Sequence, residues 1–270
     1  MRRGGYTVRA SSFPTQGAGP TSDRSDGPTI HRGFQVRVLP SSGVAVSFDL
    51  FGTLVDVERP DDPAAAVARE LHARDVAVPD DFVEAYREPQ IDAPDGAEVP
   101  LPAHVGSVLR SRGVEAPGNA VRRAVVAAFD PDVRTRRGAV EAVDAAHDRG
   151  PTGLLSNCSV PELVGRTLVR SDLSRERFDS VVTSVGCGWR KPAPEAFETV
   201  ADGLGVAPDA LVHVGDTPAT DGGIERLGGT FVDVGEVPLA EFPAWLAART
   251  DRETRTDGGR RRTHQRRECP

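Results

Sequence analysis

Five short apolar runs, each closing on a polar residue or glycine turn, alternate with amphipathic stretches, and this rhythm constrains the chain more than any other feature. The first run is Val44-Ala-Val-Ser-Phe-Asp49. The others are Gly153-Leu-Leu-Ser156, Ser180-Val-Val-Thr-Ser184, Leu211-Val-His-Val-Gly215 and Thr230-Phe-Val-Asp-Val234. Apolar runs this short, bounded by turn residues, read as buried strands. Periodic stretches at 137–149, 160–170, 192–204 and 219–227 read as helices between them. Strands alternating with helices predict a parallel sheet covered on both faces, which is an α/β, Rossmann-like doubly wound fold.

The rhythm breaks once. Between the first strand and the helix before the second lie residues 57–135, too long for a structureless loop in a compact domain. Helical periodicity recurs there at 63–74, 80–87, 102–112 and 118–129, so an inserted helical subdomain is expected over 57–135. The Pro-rich stretch 88–102 reads as a loop crossing that insert. The expected core is then 43–56 with 136–248. Residues 1–42 and 249–270, rich in Gly, Ser, Thr, Pro and Arg without periodicity, read as disordered extensions.

Charge narrows the range of partners. Each end carries a balance of +4, so of the chain's net −7 the stretch 43–248 holds −15. A body that acidic does not hold nucleic acid by neutralising phosphates. No apolar run reaches the roughly 18 residues of a membrane helix, and no secretory leader opens the chain, so a cytoplasmic protein is expected. The three cysteines (Cys158, Cys187 and Cys269) show no regular spacing, and the six histidines form no zinc pattern. Cys158 and Cys187 read as packing residues; Trp189, Arg87 and His104 read as packing or solvated surface. Lys191 is the only lysine among the 33 basic residues, and this acidic, Arg-dominated composition resembles that of proteins from salt-loving archaea.

In an open parallel sheet, ligands bind beyond the carboxyl ends of the strands. The residues falling there are Asp49 to Thr53, Ser156-Asn157, Lys191, and Asp216 with Asp221. One sheet edge therefore gathers three carboxylates, hydroxyls and one ammonium.

Four segments at this edge carry a family resemblance: DLFGTLVD at 49–56, LLSN at 154–157, KP at 191–192 opening PAPEAFETVADGLGV, and VGDTPATD at 214–221 followed by GGIERLGG. In this order and spacing the chain resembles the haloacid dehalogenase-like superfamily of hydrolases over about residues 44–235. The resemblance implies that the helical insert is a cap closing over the site. It also implies roles. Asp49 would be the nucleophile, forming an aspartyl-phosphate that water hydrolyses. Mg²⁺ would sit on Asp49, the backbone carbonyl of Phe51 and Asp216, with Asp221 holding a metal-bound water or completing the shell. Lys191 would neutralise Asp49 and a phosphate oxygen. Ser156 and Thr53, with turn amides such as that of Gly52, would donate to the phosphate, and Asn157 would contact substrate or shape its turn. The partner would be a small phosphorylated metabolite; oligomeric state is not encoded in any pattern read here.

One position departs from the family's phosphatases, which carry a second aspartate two residues after the nucleophile as general acid and base. Here it is Phe51. General acid–base help is typically worth about 10²–10⁴-fold, so three readings stay open: a phosphatase acting on a good leaving group or with a substitute acid, a metal-free 2-haloacid dehalogenase, or a phosphate-binding module without turnover. The intact GD-x-x-x-x-D of 215–221 favours the first, because paired acids beside Asp49 repel one another without a cation.

Overall fold

The computed structural model describes residues 43–130 and 132–251; the two ends expected to be disordered lie outside them, apart from 249–251. The chain order begins β1 (Ala45–Phe48), β2 (Val55–Val57), α1 (Pro63–His72), α2 (Phe82–Arg87), α3 (Leu101–Ser111), α4 (Ala120–Ala128) and β3 (Val133–Thr135). It continues with α5 (Ala139–His147), β4 (Thr152–Ser156), α6 (Leu163–Arg170), β5 (Ser180–Thr183), α7 (Ser184–Cys187) and α8 (Pro194–Leu204). It closes with β6 (Leu211–Gly215), α9 (Pro218–Asp221), a 3₁₀ turn at Gly222–Leu227, β7 (Thr230–Asp233) and a helix over 242–251.

Five strands form one parallel sheet in the order β5-β4-β1-β6-β7, and every one of them is an apolar run read from the sequence. Alternate side chains leave opposite faces. Val46 and Phe48 of β1 and Leu154 of β4 enter the larger core, while Ala45 and Leu155 enter a second core with Phe197, Val200 and Ile224. Two cores on one sheet are the signature of a doubly wound α/β fold. Each fully buried Phe or Leu contributes roughly 1.5–3 kcal/mol on leaving water.

Four of the expected helices form the segment between β2 and β3, where α1 packs on α2 and α4, and α3 on α2 and α4. Its first helix starts as the sequence dictates: Asp62 caps it by accepting the Ala65 amide at 3.0 Å, and Pro63 takes the first helical position. Two features were not expected. β2 and β3 pair antiparallel and bracket the four helices as a short two-stranded ribbon. The helix over 242–251 covers the larger core, with Phe242 edge-on to Phe48 at 5.6 Å and stacked on Trp245 at 5.7 Å. The helix expected at 219–227 is instead the short α9 plus a 3₁₀ turn. Among the described residues no helix is long and apolar enough to cross a membrane.

Candidate active site

The chain leaves β1 for β4 and β5 on one side, then returns to β6 and β7 on the other, so the sheet's switch point lies at β1. A crevice opens beyond the strand ends at such a point. Asp49 follows β1 and Asp216 follows β6, which places the first and fourth motifs on adjacent strand ends. The Asp49 amide donates to the Val214 carbonyl at 2.8 Å, extending the ladder one residue past the strand and fixing the carboxylate at the rim.

Lys191 lies 3% exposed and reaches both acids. Its Nζ is 2.7 Å from Asp49 Oδ1 and 2.6 Å from Asp221 Oδ1, and it donates to the Leu155 carbonyl at 2.9 Å. The main chain of Lys191 is pinned as well. Asn157 accepts its amide on Oδ1 at 2.8 Å and donates from Nδ2 to its carbonyl at 2.9 Å, a side-chain fork that replaces a missing ladder partner. Asn157 thus holds the lysine in place while bordering the pocket beside it.

Burial raises the Asp49 pKa above the ordinary carboxylate value; Lys191 opposes this and the charge of Asp221 adds to it. Burial also pushes Asp221 upward, but the His213 hydrogen bond and Lys191 overcome it and hold that carboxyl well below the usual range. Asp49, Asp216 and Asp221 against one ammonium leave a surplus of negative charge where the motifs meet.

The two acids of the fourth motif have different surroundings. Asp221 is buried with both oxygens occupied: Oδ1 by Lys191 and His213, Oδ2 by the Thr217 amide at 3.0 Å. The expectation for Asp221 is that it holds a metal-bound water or completes the shell; in this structure its partners are Lys191, His213 and the Thr217 amide. Asp216 is exposed, and its Oδ1 accepts the Thr53 hydroxyl at 3.1 Å. Gly52 lies against it with φ +88°, and a Cβ there would meet Asp216 Oδ2 at 2.5 Å, so both the turn and the close approach require glycine. The turn's own hydrogen bonds go to the carbonyls of Leu50 and Val55, and among the described residues none goes to the Phe51 carbonyl. The Ser156 hydroxyl, fully buried at the end of β4, has no hydrogen-bond partner among the described residues. A buried orphan hydroxyl is costly unless a ligand satisfies it.

Three residues the sequence reading passed over belong to this site. His213 in β6 sits opposite Ser47 of β1 and is fully buried. Burial lowers its pKa to about 4, so the ring is neutral; Nε2–H donates to Asp221 at 3.2 Å and Nδ1 accepts the Ser47 hydroxyl at 2.8 Å. The available signal was a pair of polar residues at matching places on two central, otherwise apolar strands. Arg136, just after β3, donates to the Gly52 carbonyl and braces the turn. Glu98, in the Pro-rich stretch, accepts hydrogen bonds from Ser184 and from Arg190 at 3.3 Å. That stretch is more than a loop: Glu98 N–H donates to the Gly188 carbonyl at 2.8 Å and Arg190 N–H to the Gly96 carbonyl at 2.9 Å, which straps the insert to the segment presenting Lys191. His104, by contrast, is structural, bonded to the Tyr86 carbonyl at 2.8 Å.

The donors suit a hard cation. Asp216 and Asp49 are carboxylates, the Phe51 carbonyl is free to accept, and Mg²⁺ takes one or two carboxylates and keeps waters for the rest. Among the described residues no group of three or more His, Cys, Asp or Glu side chains is placed to hold a metal ion.

The family model for haloacid dehalogenase-like hydrolases matches residues 44–226, and the chain belongs to that family. Among solved structures, a 2-haloacid dehalogenase from Pseudomonas syringae pv. Tomato DC3000 is 20% identical, with a TM-score of 0.58, covering 76% of this chain and 98% of its own. An L-2-haloacid dehalogenase from Xanthobacter autotrophicus with chloropropionic acid covalently bound is 18% identical (TM-score 0.44, 76% and 87% covered). A family enzyme from Bacteroides thetaiotaomicron, in complex with magnesium and inorganic phosphate, is 15% identical (TM-score 0.45, 70% and 93% covered). At 20% identity the first of these speaks to the fold alone. No curated protein matched the chain.

Proposed function

We propose that this hydrolase is a Mg²⁺-dependent phosphatase of small phosphorylated metabolites, acting through an aspartyl-phosphate on Asp49. The observation that carries the reading is Asp216: an exposed carboxylate, oriented by Thr53, on the strand end next to Asp49. Without a cation it would only repel an anionic substrate. Held by Asp49, the Phe51 carbonyl and Asp216, Mg²⁺ would supply the neutralising charge that phosphoryl transfer needs.

The chain's own groups do the rest. Lys191 offsets charge on Asp49 and on the arriving phosphate, its Nζ fixed by Asp221 and the Leu155 carbonyl. The orphan Ser156 hydroxyl donates to a phosphate oxygen. Asp49 attacks phosphorus, the leaving-group oxygen departs, and water then cleaves the acyl phosphate on Asp49. Phe51 gives no proton to the departing oxygen, so the substrates served best are those whose leaving group needs none, such as acyl or enol phosphates. The four inserted helices act as a cap that excludes water from this edge.

Phe51 also favours a second reading. A dehalogenase releases halide, which needs no proton, and dispenses with metal. The experiment that separates the two is hydrolysis of acetyl phosphate with Mg²⁺ or with EDTA, beside halide release from 2-chloropropionate. Phosphatase action predicts phosphate release that EDTA stops and Asp49→Asn abolishes. Halide release unaffected by EDTA, with no phosphate released, would replace it with the dehalogenase.

A further inference from the structure

Beside the catalytic edge lies a cavity of about 210 Å³ that begins at Phe51 and Asn157. Phe51, Phe129, Val160 and Leu163 are among its apolar lining residues. Arg59 and Arg190 face it from two different segments, against a single carboxylate on the lining, Glu58.

The two arginines differ in preparation. Arg190 precedes Lys191 directly, so one short segment presents two cations, Lys191 to Asp49 and Arg190 to the cavity. Glu98 fixes Arg190 through Nη1 at 3.3 Å, and Glu98 is itself held by the Ser184 hydroxyl, which in turn accepts the Cys158 amide at 2.8 Å. Arg59 has no ion-pair partner among the described residues. Cys158 also lines the cavity, and burial raises its thiol pKa; a hydrogen bond with the Val160 backbone, Arg59 and Arg190 act to lower it, while Glu98 acts to raise it. An otherwise strongly acidic body thus presents, beside the Asp49 strand end, a cavity with apolar lining residues and one guanidinium, that of Arg59, without an ion-pair partner among the described residues. A guanidinium of this kind recognises carboxylates and phosphates.

We infer that this pocket binds a second anionic group on the substrate, carried on a short apolar stem that lies along Phe51 and Phe129, with Arg59 as the contact that selects for it. This deepens the phosphatase reading and rests on it for the identity of the reacting group. A carboxylate and a second phosphate share the chemistry, so the test carries both.

The full chain is titrated in Mg²⁺ with methylphosphonate, phosphonoacetate and methylenediphosphonate, none of which can be hydrolysed at its P–C bond. A second anion is expected to tighten binding about tenfold over methylphosphonate. The better of the two dianions names the group. Arg59→Gln should erase the preference, and Arg59→Lys, which keeps the charge, should retain most of it. Equal affinity for all three probes, or a preference that survives Arg59→Gln, overturns the inference. The phosphatase reading is judged separately, by phosphate release from acetyl phosphate. Turnover without a dianion preference sinks only this inference; a dianion preference lost in Arg59→Gln, without turnover, sinks only the phosphatase.

Discussion

The cluster of Asp49, Lys191 and Asp221 at the carboxyl edge of the sheet and the cavity beside it are neighbours built by opposite rules. At the strand ends the ionic groups are buried and mutually bound: Lys191 is 3% exposed, Asp221 1%, and His213 lies beneath them with both ring nitrogens engaged. In the cavity Arg59 is exposed and has no ion-pair partner among the described residues, and Arg190 pairs with Glu98. Buried pairs are rigid because each member would be costly alone. Exposed cations cost little to replace and little to redirect. The difference separates invariant chemistry from adjustable recognition within a few residues of one another, with the strap at Gly96–Glu98 joining the two.

Breaking each side should therefore give very different losses. Lys191→Met leaves Asp49 and Asp221 facing each other without an ammonium. It is expected to cost about 3–5 kcal/mol, read from denaturant unfolding at pH 7. Acidification attacks the same network from below. His213 titrates near 4 in the fold and near 6.5 unfolded, so the unfolded chain binds the extra proton between those values. Stability from this group is complete above about pH 6.5 and is lost as pH falls toward 4, by up to about 3 kcal/mol. Unfolding curves across that window should show the slope in the native chain and not in His213→Gln. Glu98→Gln loosens the joint between the two regions. It should destabilise by about 1–3 kcal/mol, because a charged acceptor for Ser184 and Arg190 becomes a neutral amide. Arg59→Gln should change stability by less than about 0.5 kcal/mol while changing ligand preference. A large loss there would mean the pocket is as tightly built as the strand ends.

How much of this was legible beforehand follows the same division. The five strands of the sheet were readable because each is a short apolar run feeding a buried position, such as Val46 or Leu154. The motif residues were readable because their spacing places Asp49 and Asp216 directly after apolar runs, and β1 and β6, which they follow, are paired neighbours in the sheet. What escaped was pairwise. His213 matters because register sets it opposite Ser47, and the reading of β6 as a single strand does not contain that. Glu98 matters because a Pro-rich stretch lies on Gly188–Arg190, some ninety positions away in the chain (|i−j| = 92 for Glu98 and Arg190). The contacts of Asp221 with Lys191 and His213 are likewise set by packing and are not contained in its motif spacing from Asp216. The helix over 242–251 was missed because its short pattern, interrupted by Pro243, resembles the linker that follows it.

The central claim is that Asp49 accepts a phosphoryl group and needs a divalent cation to do so. Acid quenching of the chain during turnover of acetyl phosphate, followed by peptide mass spectrometry, tests it most directly. A phosphoryl adduct on Asp49 that appears with Mg²⁺ and disappears with EDTA is the result expected. An adduct that forms equally in EDTA, or a carbon ester on Asp49 after exposure to 2-chloropropionate with no phosphoryl adduct under any condition, would contradict it.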